Sequence, residues 1–296
     1  MSGPIRVAVI GLDTSHAVEF TKLIKEPECA AFAPFQKLTV ISCLRFSTPF
    51  QSEAGLDERE AQMKEWGIKV TRDFDEAVAD CDAIMLEIND PAYHLEYFEK
   101  CVGLGKPVFL DKPMADTIAN GRKIYDLAKK HKARVYSASS LRHTGALAAA
   151  KGELPETEYA TIYGALGIAP AGSSVVWYGV HAFEMLEFAM GRGATSVQAC
   201  ADDAGVVAIV EYPGGRRGVV ELVTGSYLYG GTLRTNKKAV SYCVDANRIY
   251  ADQVRVIGEF FNGKDPECTL DDTLEVMKML DAAQRSVDSG KVEEVN

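Results

Sequence analysis

The sequence lacks most of the features that would assign it a class at once. Its seven cysteines, at 29, 43, 81, 101, 200, 243 and 268, contain no Cys-x-x-Cys pair. Zinc ribbons and dithiol redox sites need that spacing, so reduced and mostly buried thiols are expected. The five histidines show no metal-ligand spacing on a single helix, and no metal is expected. No apolar run reaches the length of a membrane span. Met1 leads almost directly into a strand-like run, without the basic stretch and cleavable apolar segment of a secretory leader. Positive charge is also short: 32 Lys and Arg against 42 Asp and Glu give a net charge of -10, which works against binding a phosphate backbone. A nucleophile elbow, a Walker sequence and a Cys-His pairing are all missing. These absences exclude nucleic acid and membrane as expected partners and leave a cytoplasmic enzyme or binding protein for a small molecule.

What is present is ordinary for a globular protein: 296 residues, 47% hydrophobic and 25% charged, enough for two domains. Ile5 to Ile10 is a β-branched apolar run of strand length, followed by Gly11 and a helical pattern from Ser15 to Lys25. Strand, glycine turn and helix open a dinucleotide-binding half. The fingerprint Gly-x-Gly-x-x-Gly is incomplete, because the six positions read Gly11-Leu12-Asp13-Thr14-Ser15-His16. The missing glycines let backbone approach a pyrophosphate and let helix pack on strand, and Asp13 places a carboxylate where phosphate charge would lie. Two readings stay open. Asp13, Thr14 or Ser15 caps the helix; alternatively Thr14, Ser15 and the helix start cradle an anion with Asp13 turned aside, and His16 meets phosphate or substrate.

Lys37 to Leu44 reads as a second strand, closed by Arg45 where a ribose-binding acid is usual. Arg45 is then either a solvent-exposed loop residue or a group favouring the 2′-phosphate of NADP over the diol of NAD. Helices are expected over Glu53–Trp66 and Asp73–Ala79, strands over Ile68–Val70 and Asp82–Ile88, and a helix starting at Pro91. Val108 to Leu110 is a short buried strand that ends in Asp111-Lys112-Pro113. Proline cannot donate to a ladder, so Lys112 is fixed at a strand's carboxyl end, where open parallel sheets put their ligands. A helix over Thr117–His131 and a strand over Arg134–Ala138 complete a strand–helix alternation that predicts a doubly wound parallel sheet.

The segment from Cys81 to Arg142, with Pro91-Ala-Tyr-His94, Gly105-Lys-Pro-Val and Asp111-Lys112-Pro113, resembles the Gfo/Idh/MocA family of glucose-fructose oxidoreductases and inositol dehydrogenases. The resemblance implies that Lys112 sits beside a nicotinamide and helps move a proton from a sugar hydroxyl. It also implies that Asn89, His94, Asp111 and Pro113 line the cofactor cleft. Trp177-Tyr178-Gly179-Val180-His181 is similar to the family's Asp-x-Gly-x-His segment, with His181 at the histidine and Trp177 at the aspartate. A histidine is the usual proton acceptor for such chemistry. Glu184 and Tyr178, three residues either side, are expected on its helix face; Trp177 packs or stacks on a ring-shaped ligand. Arg142 falls in the segment joining the two domains and, with Trp177, Tyr178 and Glu184, is expected to bind substrate.

From Glu158 onward the pattern becomes alternating strands: 158–166, 196–201, 206–212 and 218–224. A mostly antiparallel sheet is expected, with helices over Val176–Met190 and Thr269–Gly290. The expected organisation is a Rossmann-like domain over 1–138 and an α+β domain over 139–296, with the helix 269–290 packing back on the first domain. The expected activity is NAD- or NADP-dependent oxidation or reduction at a carbinol carbon of a sugar, cyclitol or related polyol, catalysed by Lys112 and His181. Two alternatives stand beside it: a ligand-binding or regulatory protein that has lost dinucleotide binding, and an enzyme that uses transient oxidation to cleave a neighbouring carbon–oxygen bond. The alternation in Val206–Thr224 also permits a homo-oligomer formed through the second sheet.

Overall fold

The computed structural model describes residues 3–26 and 37–296; Cys29 lies outside them. The chain forms two compact units, Met1–Ala115 with Ala119–Ser137 and Tyr250–Leu270, and Asp116–Ile118 with Ala138–Ile249 and Asp271–Asn296.

The first unit is built on six parallel strands: β1 (Ile5–Ile10), β2 (Leu38–Leu44), β3 (Lys69–Thr71), β4 (Ala83–Leu86), β5 (Val108–Leu110) and β6 (Val135–Tyr136). The helices between them are α1 (Ser15–Lys25), α2 (Glu53–Glu65), α3 (Phe74–Val78), α4 (His94–Val102) and α5 (Ile118–His131). Strand order is β3-β2-β1-β4-β5-β6, the doubly wound arrangement, which reverses direction between β1 and β4. Val7 to Ile10, β4 and β5 are buried at every residue, as strands covered on both faces must be. That is why they read as continuous apolar runs.

The second unit contains α6 (Gly145–Glu153), β7 (Tyr159–Leu166), α7 (Ser174–Trp177), α8 (Val180–Met190), β8 (Ser196–Ala201), β9 (Gly205–Glu211), β10 (Arg217–Thr224), β11 (Gly230–Arg234) and β12 (Ala239–Cys243). After α9 (Ile249–Phe261), most of which belongs to the first unit, come α10 (Leu270–Ser289) and β13 (Glu293–Glu294). The sheet runs β12-β11-β7-β10-β9-β8-β13. Among the described residues, the central β7–β10 pair is parallel and the other pairs of this sheet are antiparallel. Alternate residues of β7 and β10 are buried beneath α8, leaving the opposite face more open. Glu275 on α10 accepts from the backbone N–H groups of Gly193 (2.7 Å) and Ala194 (2.9 Å), and Ser286 from that of Ala199 (2.8 Å), which fastens α10 within this unit.

The single helix expected over Val176–Met190 is two. Ser173 caps α7 by accepting from Val176 N–H at 3.1 Å, and Gly179 caps the start of α8. A Cβ on Gly179 would lie 2.4 Å from the Val175 carbonyl oxygen, so the break needs glycine. Tyr178 therefore lies outside α8 and does not share a helical face with His181.

Candidate functional site

In the first unit, the residues that follow β1, β4 and β5 gather at one sheet edge, at the point where strand order reverses. Gly11 has φ +107, and a Cβ there would stand 2.2 Å from the Glu87 carbonyl oxygen, so the turn after β1 requires glycine. Asp13 follows. Its carboxylate is 1% exposed and accepts from Asn89 N–H (2.8 Å), Asp90 N–H (3.2 Å) and Thr48 Oγ1 (2.7 Å). It ties the first turn to the loop after β4 and is aimed at protein donors. Thr14 is the cap of α1, accepting from His16 N–H at 3.2 Å; Ser15 is the first residue of that helix.

His16 Nδ1 is 2.8 Å from Asp111 Oδ2. The imidazole stacks on Phe20, with centroids 4.8 Å apart, and meets the edge of Tyr250 at 5.2 Å. Burial would raise the Asp111 carboxyl, but the charges and hydrogen bonds of His16 and Lys112 prevail and hold it below the usual carboxylate range. Glu87 is the opposite case: burial first, then the nearby Asp111 charge, push it well above its ordinary value against the pull of Lys112. Lys112 itself is 6% exposed, between Asp111 and a cis bond to Pro113.

Arg45 is not an exposed loop residue. It is 5% exposed and paired with Glu53 (2.9 Å), Asp57 (2.7 Å) and Glu60 (2.5 Å). Burial opposes its charge, yet the three carboxylates hold it charged, and Lys64 with Arg45 brings Glu60 down to about 2 despite burial. His94 is fully buried, with Nε2 at 2.8 Å from the Ile88 carbonyl and Nδ1 at 3.3 Å from that of Met114. It staples the loop after β4 to the loop after β5.

In the second unit, His181 sits in the first turn of α8 and is 7% exposed. Its partner is Ser139, whose Oγ is 2.7 Å from Nδ1 and also accepts from Leu141 N–H at 3.1 Å. The rings of Tyr178 (5.2 Å) and Tyr229 (6.0 Å) approach it edge-on. Glu184 faces elsewhere. It pairs with Arg142 Nη1 at 3.1 Å, which also pairs with Glu187 at 2.6 Å, and its carboxylate accepts from the Ser139 backbone N–H. Burial pushes Glu184 up to about 7, with Arg142 pulling it back and Glu187 adding to the rise. Arg142 and Glu184 thus engage each other, and through Ser139 they position His181. Trp177 and Tyr178 are half-buried neighbours, with ring centroids 5.1 Å apart.

Ser139, Thr48 and Glu87 carry no functional expectation from the sequence. Ser139 lies 42 residues from His181 and Thr48 lies 35 from Asp13, so no local spacing joins them.

The comparisons with known proteins agree with this architecture. Residues 5–139 match the Gfo/Idh/MocA family model, described as an oxidoreductase family with an NAD-binding Rossmann fold. No curated protein sequence matches the chain. Among solved structures, scyllo-inositol dehydrogenase from Lactobacillus casei with bound NAD(H) and scyllo-inositol is 16% identical, covering 99% of each chain at a TM-score of 0.80. A putative myo-inositol dehydrogenase from Sinorhizobium meliloti is 18% identical, covering 99% of this chain and 100% of its own, at 0.78. GenD2 from gentamicin A biosynthesis, in complex with NAD, is 16% identical, covering 100% and 97%, at 0.80. Identities at this level show a shared fold.

Proposed function

We propose that this chain, whose residues 5–139 carry the NAD-binding Rossmann fold of the Gfo/Idh/MocA oxidoreductases, is an NAD-dependent oxidoreductase acting on a CH–OH group of a cyclitol, sugar or related polyol. The observation that carries the reading is Lys112, a buried amine at the carboxyl end of β5, one strand from the reversal of the sheet. Ligands of open parallel sheets bind at that edge.

The residues present fit a dinucleotide better than the broken fingerprint suggests. The tight turn at Gly11 is built, and the Asp13 charge that would oppose phosphate is offset by three donors of its own. The backbone from Gly11 to Ser15 and the start of α1 would hold the pyrophosphate. NAD is favoured over NADP, because the Arg45 guanidinium is already neutralised by three carboxylates, two of them exposed acids that would repel a 2′-phosphate.

When bound, the nicotinamide supplies the acceptor for the hydride leaving the carbinol carbon. The protein must orient the polyol and take its hydroxyl proton. Lys112 Nζ donates a hydrogen bond to the hydroxyl oxygen and favours the developing alkoxide. In the second unit, His181 Nε2 would accept a proton when Nδ1–H donates to Ser139 Oγ. A serine hydroxyl either accepts or donates, so Ser139 holds the ring in either tautomer, which suits a reaction run in both directions. Trp177 and Tyr178 offer apolar ring faces for a polyol ring.

A second reading has its own observation. His16 stands where the third glycine of the fingerprint would be and is committed to Asp111 and Phe20, which favours a binding protein without hydride transfer. The test is a panel of inositols, hexoses and sugar acids assayed with NAD for NADH absorbance, beside Lys112→Ala. Stoichiometric NADH formation that Lys112→Ala abolishes supports the oxidoreductase. Product formation without NADH accumulation points to redox-assisted elimination, and no turnover of any substrate favours the binding protein.

A further inference from the structure

His16, Glu87 and Asp111 come from three separate segments: the first turn of α1, the residue after β4 and the loop after β5. All three are buried, and one imidazole nitrogen and one carboxylate oxygen from each acid lie within 4.8 Å of one another. Such a group would be an internal ion-pair network if every polar atom in it had a partner. Glu87 is the exception. It is 0% exposed, yet neither Oε1 nor Oε2 makes a hydrogen bond. Buried polar groups are almost always paired, and an unmade pairing is costly. Protonating Glu87 would not fully resolve this, since its remaining carbonyl oxygen would still lack a donor. Leaving it ionised sets a second negative charge beside Asp111, against the one ammonium of Lys112.

We propose that His16 Nδ1 and the carboxylates of Glu87 and Asp111 are the protein ligands of one divalent transition-metal ion of the Zn2+ or Mn2+ class. One imidazole with two carboxylates suits these ions; Mg2+ and Ca2+ favour all-oxygen shells, and no thiolate belongs to the cluster. Metal–ligand bonds of about 2.0–2.2 Å place neighbouring ligand atoms roughly 3.3 Å apart. The 2.8 Å contact between His16 and Asp111 would therefore open by about half an ångström as the ion replaces their shared proton. Glu87 would close in from the other side and gain the partner it lacks. Among these side chains and Lys112 the net charge changes from 0, counting Glu87 protonated and His16 neutral, to +1, as Glu87 releases its proton to solvent when it takes the ion. An anionic ligand at this sheet edge would then be attracted. The ion needs no dinucleotide, so the proposal stands apart from the oxidoreductase reading.

The full-length protein, stripped with chelator and dialysed, is titrated calorimetrically with Zn2+ and separately with Mn2+, beside Glu87→Gln and Asp111→Asn. The expected result is one equivalent bound to wild type and a loss of about 100-fold in affinity or more in each variant. If neither ion binds stoichiometrically, or if Glu87→Gln binds as tightly as wild type, the proposal fails. Exposed Cys200 and Cys243 could capture Zn2+, but Mn2+ and a Co2+ spectrum without thiolate charge transfer separate that outcome. Wild type alone supplies a measurement that does not depend on variants folding. Co2+ must shift the ring protons of a single histidine by paramagnetic contact, and a spectrum without such a shift overturns the assignment.

Discussion

Ser139 Oγ lies 2.7 Å from His181 Nδ1, and the same hydroxyl accepts the backbone N–H of Leu141. A serine thus holds the imidazole where the resembling family's segment places an aspartate, at the position of Trp177 here. Ser139→Ala should lower kcat roughly 10- to 100-fold with little change in KM. Ser139→Thr should restore most of it. A larger effect on KM than on kcat would make Ser139 a substrate contact instead.

Lys112 and Asp111 are adjacent but differ in what they tolerate. On the proposed role of its amine at the substrate hydroxyl, Lys112→Ala should reduce turnover by about 10²-fold or more while leaving NADH affinity within a few-fold. Lys112→Arg should not rescue, since a guanidinium cannot reproduce a compact ammonium at this buried site. Turnover and a fluorescence titration on the same preparations check both statements.

Arg45 is buried among three carboxylates. Arg45→Ala leaves the buried Glu60 to Lys64 and Arg72 and should destabilise the protein by about 1–3 kcal/mol, the loss being limited by those two cations and by the exposure of Glu53 and Asp57. The ratio of NAD to NADP affinity should rise by no more than a few-fold, since the carboxylates freed of Arg45 repel a 2′-phosphate further. A loss of NADP affinity of about 100-fold or more would return Arg45 to the role of a 2′-phosphate ligand.

Glu184 gives a pH dependence of definite sign. Its carboxyl is raised from 4.5 to about 7 in the folded protein, chiefly by burial. The folded state therefore holds a proton that the unfolded chain releases first. The stability from this group is complete below about pH 4.5 and is lost as pH rises through about 7, a change on the order of 3 kcal/mol. Urea midpoints between pH 5 and 8 should fall as pH rises, and Glu184→Gln should flatten the trend. A midpoint that rises over this range in wild type and not in Glu184→Gln would show the opposite shift.

How much of this was legible in the sequence varies with the range of the interaction. β1, α1 and β5 have the expected limits, because strands buried on both faces write continuous apolar runs and a capped helix writes its own start. The doubly wound sheet followed from the repetition of that pattern. β11, β12 and α9 carried no expectation: β11 opens on Gly230-Gly231, which reads as a turn, and the value of these segments lies in distant partners. The site shows the same division. Lys112 and His181 are proposed from local motifs that resemble those of a known family. The sequence could not show that Asp13 turns toward Asn89 and Asp90, that Glu184 pairs with Arg142, or that Arg45 is buried among three acids. Each depends on a loop brought close by the sheet.

The central claim is tested most directly by titrating the wild-type protein with NADH and NADPH, followed by thermal denaturation and by energy transfer from tryptophan. The account predicts saturable NADH binding, with stabilisation of about 2.7 kcal/mol at 100 times the dissociation constant, and weaker binding of NADPH. Binding of neither dinucleotide by wild type, with binding gained in His16→Gly, would contradict it and make the chain a binding protein on an oxidoreductase scaffold.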